Sequence, residues 1–423
     1  MKRIISILFL LLGALALYGQ SARELIREDP NKAGGVYYMY PFHEHHVTPP
    51  PRGYKPVYLS HYGRHGARYL LNDTQYERSM NVLRDAHEAG VLTDVGERIW
   101  QEASAYFEET CKYRSGDLTP LGWDQHYRIA QEIYNDNRAL FRRHPSVEAG
   151  ATQIPRCIVS MTAFLQGLAA KDRKLEVYAN ASKADLDEIC PHSSDNPRRE
   201  NVQMEGGRYA RINPWGGKLG EFIDARVDYR AIAARIFTDP DFAKPYRGVR
   251  AFVTDFYDLV FNMQCTPTDR SLMWFFTPEE CYSLWEVNNY IHYMESAPPA
   301  TTRDLPALWN LVADADSALA SGKPAVRLRF GHDTVFLGLM SMVGADGFDI
   351  VPTSADGISD TWLNFRAPMA ATLYFLFCVN KQGRVLVKMV VNGDEAALPL
   401  TPVTGPWYDW EDLKALINTR FPQ

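Results

Sequence analysis

The chain has 423 residues, with 45 basic against 51 acidic side chains and a net charge of −6. No basic tract of five or more residues occurs in it, which excludes a nucleic-acid-binding protein, because such affinity rests on clustered Lys and Arg. The length exceeds what one core usually serves, so a large domain with an elaboration is expected.

Met1 to Gly19 reads as a secretory signal. Lys2 and Arg3 form the basic start, and the apolar run Ile4 to Leu17 falls short of the roughly 20 residues a spanning helix needs. Cleavage after Gly19 is expected to leave a secreted or periplasmic chain, with outer-membrane association left open and no span after cleavage. An uncleaved anchor is the alternative, since Leu17 is a mediocre residue at the third position before the cut. No Cys follows the apolar run, which argues against a lipoprotein anchor.

Residues 20–56 are rich in Pro, Gly and Tyr without periodicity, and are expected to form an extended, surface-hugging lead-in. A strand is predicted over Val57 to His61. A helix follows from an Asp73 N-cap to His87, stopped by Gly90, and another from Thr93 to about Thr110. Thr119-Pro120 opens a third helix, with threonine as cap and proline in the first turn. "SVEAGAT" is strand-like and precedes a helix starting near Pro155, and Leu175 to Ala179 is strand-like again. Residues 191–305 read as a largely helical insertion, in which Thr277 and Glu280 form a capping box. Ala325 to Phe330, Ala370 to Cys378 and Arg384 to Asn392 then resume the strands, the last two joined by a turn at Asn380 to Gly383. The expected fold is α/β, a mostly parallel sheet flanked by helices. Residues 57–190 and 306–423 would form the core, and the 191–305 insertion a smaller helical cap.

At the end of the first strand stands "HYGRHGARYL", where open α/β sheets place their ligands. Arg64 and Arg68 present planar, permanently charged forks suited to a tetrahedral oxyanion. Taken alone they fit a surface ion-pair cluster better than an anion clamp. His65 between them tips the balance: two fixed positive charges disfavour its protonation, leaving a neutral imidazole able to attack phosphorus if its other nitrogen donates to a fixed acceptor. Gly331-His332-Asp333-Thr334 follows a second predicted strand. There His332 would bind phosphoryl oxygens and Asp333 would protonate a leaving alkoxide, although taken alone His332 equally suits a satisfied strand-end histidine and Asp333 better suits a helix N-cap. Arg156, behind Pro155 in the first turn of a helix, adds a further cation where the amide dipole favours an anion.

Arg64-His65-Gly66-Ala67-Arg68 resembles the RHGxR motif of the histidine acid phosphatases, and His332-Asp333 resembles their C-terminal HD element. "LTPLGWDQHYRIAQ" and "RCIVSMTAFLQGL" resemble the segments between. The resemblance extends from about Gly53 to Leu400. It implies a phosphoglycerate-mutase-like core with a helical cap and a two-step phosphomonoester hydrolysis without metal or other cofactor. In it His65 would carry the phosphoryl group, Arg64, Arg68, Arg156 and His332 would hold it, and Asp333 would be the general acid. The substrate would be a small phosphorylated molecule, with inositol polyphosphates such as phytate favoured. A general phosphatase acting on sugar phosphates, a mutase-like phosphotransferase and a phosphate-binding protein without turnover are the alternatives. Two departures stand out: Leu70 occupies the place where the family pattern often has proline, and His332-Asp333-Thr334 stands where the inositol polyphosphate branch typically has HAE.

His43-Glu44-His45-His46 reads as a solvated loop, because at most His43 and His45 converge and two ligands make a poor metal site. Arg198, Arg199, Arg208 and Arg211 would either form a second anion surface or pair with Glu200 and Glu205. Cys111, Cys157, Cys190, Cys265, Cys281 and Cys378 show no metal spacing, so bridges and buried thiols are both open. The oligomeric state is open as well.

Overall fold

A computed structural model of the protein describes residues 20–198, 219–297 and 303–422. The segment read as a signal lies outside the described residues, as do Arg199, Arg208, Arg211, Glu200 and Glu205.

The sheet is built from β1 (Lys55–Arg64), β2 (Ser146–Ala151), β3 (Val177–Asn180), β4 (Ala325–Gly331), β5 (Thr372–Val379) and β6 (Val385–Val391). Two short strands, β7 (Asp394–Glu395) and β8 (Tyr408–Asp409), complete it. The order is β3-β2-β4-β1-β5-β6-β7, with β8 also on β6. The first four strands run parallel, whereas β5 joins β1 antiparallel and the remaining pairs continue antiparallel. The parallel arrangement is thus confined to the half of the sheet that carries the charged loops. β1 extends three residues beyond the predicted His61 because Tyr62, Gly63 and Arg64 stay paired with β4, and Tyr62 and Gly63 with β5 as well; within the strand the buried Ser60 accepts from Arg329 at 3.0 Å. A central strand covered on both faces need not read as an apolar run when its hydroxyls and charges are satisfied inside.

Ten helices matter here: α1 (Asp73–Glu88), α2 (Asp94–Tyr106), α3 (Pro120–Asp136), α4 (Pro155–Lys171), α5 (Leu219–Arg226), α6 (Val249–Asn262), α7 (Pro278–Ser296), α8 (Leu305–Ser321), α9 (Asp333–Val343) and α10 (Trp410–Arg420). Thr93, Thr119 and Thr277 cap their helices as the sequence suggests, and Glu280 closes the capping box. Asn72 rather than Asp73 caps α1, accepting from Gln75 at 3.1 Å. One face of the sheet buries Leu59, Val147, Leu328 and Phe330 under α3 and α4. The other buries Tyr58 and Tyr62 under α8 and α9 in a core that continues through the helical layer. That layer draws on both α1–α2 and α5–α7: Thr93 donates to Ile236 O at 2.9 Å, and Tyr246 donates to Asp85 at 2.8 Å.

The lead-in corrects its expectation. Ala22–Glu28 is helical with a Ser21–Glu24 capping box, Pro30–Tyr37 forms a 3₁₀ segment, and Ala33 to Tyr37 are buried. The absence of periodicity came from tight turns: Gly35 has φ +55°, and a Cβ there would lie 2.7 Å from Asn288 Oδ1 and 2.8 Å from Asn364 Nδ2. Only glycine lets the segment enter so closely. His43 and His45 bind separate carboxylates, Asp394 and Asp136, each at 3.0 Å. All six cysteines are free and buried.

Candidate active site

The register sets the site. Arg64 stands opposite Gly331 and Ala151 opposite Phe330, so β1, β2 and β4 end level, and His65, Thr152 and His332 emerge together. His65 N–H donates to Gly331 O at 3.0 Å, and Thr152 N–H to Phe330 O at 3.1 Å, tying the first turns of the three loops to one another. The antiparallel β5 begins at the same edge, where Arg64 N–H donates to Ala371 O at 2.8 Å.

The loop after β1 is fixed from helices α3 and α4. Gly66 N–H donates to Ser160 Oγ at 3.0 Å, and Ala67 N–H to Gln125 Oε1 at 2.9 Å. Ala67 O accepts from both the backbone and the hydroxyl of Thr119. A Cβ on Gly66 would lie 2.5 Å from Gly122 O, and one on Gly122 would lie 2.3 Å from Ala67 O. Leu70, standing where proline was the family expectation, donates its N–H to Tyr76 Oη at 3.0 Å and accepts from Gly116 N–H at 2.7 Å. Two hydrogen bonds hold this position, one of which proline could not make.

Within this frame, His65 Nδ1 lies 2.9 Å from Gly66 O. The Nδ1–H therefore donates to that carbonyl, and Nε2 carries the lone pair. Burial, reinforced by Arg156, Arg64 and Arg68, holds the His65 imidazole well below its usual range, so the ring is neutral. His332 approaches it edge-on, with ring centroids 5.7 Å apart. Burial with Arg156, His192 and Arg64 pushes His332 down to about 3, against the pull of Asp333.

Arg64 is fully buried, donating to Val36 O and, at 2.8 Å, to Ala367 O, with its other terminal nitrogen 2.7 Å from Asp333 Oδ2. Arg68 donates to Tyr69 O at 2.9 Å and lies over the Tyr37 ring at 5.5 Å. Arg156 follows Pro155 in the first turn of α4, and burial lowers it to about 10. Among the described residues, the Nε atoms of Arg64, Arg68 and Arg156 are all buried without a hydrogen-bond partner. Buried guanidinium donors left open at one place call for an anion.

Asp333 is the first residue of α9, not its cap; His332 occupies the cap position. The Asp333 Oδ1 accepts from Thr334 N–H at 2.8 Å. Burial would raise this carboxyl, but Arg64, then His292, His332 and Arg68, hold it well below the usual carboxylate range. All six residues singled out from the sequence thus come together at one edge of the sheet. Arg198 does not join them, pairing instead with Asp187 at 2.9 Å. Missed by sequence reasoning were Val36, Tyr37 and Ala367, which grip the arginines, and Ser160 and Gln125, which hold the loop. Among the described residues no group of three or more His, Cys, Asp or Glu is placed to hold a metal ion.

Residues 63–208 match the model of the histidine phosphatase superfamily, branch 2. No curated protein matches the sequence. Among solved structures, the fold is similar to the Bifidobacterium longum multiple inositol polyphosphate phosphatase in complex with inositol hexasulfate, at 17% identity and TM-score 0.74 over 91% of this chain and 97% of that one. It is also similar to the D. castellii phytase, at 14% identity and TM-score 0.63 over 93% and 85%. The Hafnia alvei phytase in complex with myo-inositol hexakis sulphate gives 13% identity and TM-score 0.54 over 88% and 98%.

Proposed function

Because residues 63–208 match the model of branch 2 of the histidine phosphatase superfamily, we propose that this chain is a phosphatase of that family and hydrolyses phosphomonoesters in two steps through a phosphohistidine at His65, with inositol polyphosphates favoured as substrates. The observation that carries this reading is the fixed tautomer of His65. Its Nδ1–H is committed to Gly66 O, which leaves Nε2 as a nucleophile facing three guanidiniums with open donors. In the first step Nε2 bonds to phosphorus as the bond to the leaving oxygen breaks, and Arg64, Arg68, Arg156 and His332 take up the charge on the other phosphoryl oxygens. Asp333 supplies the proton to the leaving alkoxide. A doubly negative phosphoryl group arriving at Arg64 competes for the guanidinium that holds Asp333 ionised, so substrate itself raises the carboxyl into a range where it can carry a proton. In the second step water attacks phosphorus, Asp333 accepts its proton, and His65 departs neutral.

The inositol polyphosphate preference is supported by likeness to a multiple inositol polyphosphate phosphatase and to the Hafnia alvei phytase, whose structures hold inositol hexasulfate. Export is supported by the basic-then-apolar Met1 to Gly19 segment.

Phosphate release measured across phytate, sugar phosphates and an aryl phosphate tests the reading. The expected result is turnover of all three with phytate highest in kcat/KM. In His65→Ala, turnover should fall by roughly 10³-fold or more while inorganic phosphate still binds, because the arginines hold the anion. A variant keeping a tenth of wild-type kcat removes His65 as nucleophile. Since the arginines do the charge neutralisation a divalent ion would otherwise supply, activity is expected to survive exhaustive chelation; its loss and its return with Mg²⁺ or Zn²⁺ would overturn that part.

A further inference from the structure

Behind the start of α9 lies a pair of titratable side chains that the reaction described above does not use. Asp304, just before α8, is fully buried. Its Oδ1 lies 2.7 Å from His192 Nδ1, while Arg303 Nε reaches Oδ2 only at 3.4 Å. The opposite nitrogen of the ring, His192 Nε2, lies 3.2 Å from Thr334 Oγ1 and 3.8 Å from Cys190 Sγ. Thr334 follows Asp333 directly, and its N–H is the donor to Asp333 Oδ1. The contacts run in one direction, from a carboxylate inside the fold, through an imidazole, to the residue that touches Asp333.

Burying an aspartate beside a histidine is poor value for stability, since the desolvation cost matches or exceeds the attraction. Its use is orientation: a carboxylate on Nδ1–H fixes the tautomer, so Nε2 presents a lone pair at a defined place. That lone pair accepts the Thr334 hydroxyl proton and holds the first turn of α9 against the segment carrying His192. Asp304 also lies against Gly338, where a Cβ would meet its Oδ2 at 2.9 Å, so the same carboxylate touches α9 two turns in.

We propose that Asp304 and His192 are a positioning pair which, through the Thr334 hydroxyl, sets the first turn of α9 and so aims Asp333 at the leaving oxygen. The proposal rests on the phosphatase reading. His65 and the arginines are held by other elements, so their grip on phosphate is independent of this pair.

The test compares Asp304→Asn, His192→Gln and Thr334→Val with wild type on phytate and on an aryl phosphate, with inorganic phosphate binding and thermal melts measured alongside. The asparagine presents a different hydrogen-bond pattern to Nδ1 and unsettles the tautomer. The valine removes only the hydroxyl at the surface of the site and leaves the buried pair intact, which keeps the test valid should Asp304→Asn fold poorly. Expected is a roughly 10- to 100-fold fall in kcat on phytate, the range in which misplacing a reacting group acts. On the aryl ester the fall should be under about 3-fold and phosphate affinity should stay within about 2-fold, since an aryl leaving group needs no proton. The double variant of Asp304 and His192 should be no slower than the worse single one, as for residues that act as a unit. Folded variants that keep phytate kcat within 2-fold, or that lose both esters equally, overturn the proposal. A wild-type protein that releases phosphate from no ester overturns the phosphatase reading instead.

Discussion

Asp333 illustrates how one side chain holds two states. Its oxygens are taken by Arg64 at 2.7 Å and by the Thr334 amide at 2.8 Å, and it is an anion. A general acid must carry a proton, and here the substrate's own charge is what allows it to. Asp333→Asn should therefore slow phytate hydrolysis by roughly 10²- to 10⁴-fold, the usual contribution of a general acid, and aryl phosphate hydrolysis far less. Rapid-quench measurement of the aryl ester should still detect phosphorylated His65. Equal damage to both substrates would assign Asp333 to shaping the pocket, with the proton coming from elsewhere.

Elements position these residues through close backbone approach, which sequence patterns report unevenly. The loop after β1 and the first turn of α3 meet so tightly that neither Gly66 nor Gly122 has room for a methyl group. Gly122→Ala should favour the helix intrinsically yet destabilise the protein by about 1–3 kcal/mol, the usual cost of overpacking. The Ala67 backbone would shift with it, so kcat should drop as well as Tm. A variant with raised Tm and unchanged kcat would show that the contact relaxes freely. Gly122 could have been found from sequence, since a glycine in the first turns of a capped helix needs a reason. The strand-end placement of Arg64, His65, His332 and Asp333 was legible because a short apolar run and a charged loop follow one another twice. Val36 and Ala367 were not, because they act through carbonyl oxygens that every residue possesses. Ser160 and Gln125 were hidden for another reason: on the buried faces of α4 and α3 they resemble any small or polar residue tolerated in a core. The antiparallel neighbour β5 left no mark on β1, since a strand buried on both faces reads alike beside either kind of partner.

At the scale of the whole molecule, β1 and α3 each bury a histidine that has no compensating acid. His61 and His126 lie among Phe164 and Phe330, and burial pushes His126 down to about 4 and holds His61 well below its usual range. Unfolded, each takes a proton near pH 6.5; folded, each stays neutral. Their contribution to stability is therefore full above about pH 6.5 and is lost as pH falls towards the folded values. For His126 alone the loss between pH 7 and pH 5 is about 2 kcal/mol. In urea unfolding, His126→Gln should narrow the gap between those two pH values by about that amount; an unchanged gap would assign acid sensitivity to other groups. The grip on Arg64 has a different consequence. Its guanidinium is held at once by Val36, Asp333 and Ala367, residues from opposite ends of the chain. Loops of that span close late and only after intervening elements have docked. A nascent or truncated chain ending before Asp333 would leave Arg64 with Val36 alone of its three partners. Catalytic competence should therefore emerge abruptly, when the last part of the sheet joins the first, and a time course of refolding should show phosphatase activity lagging behind the return of helical signal.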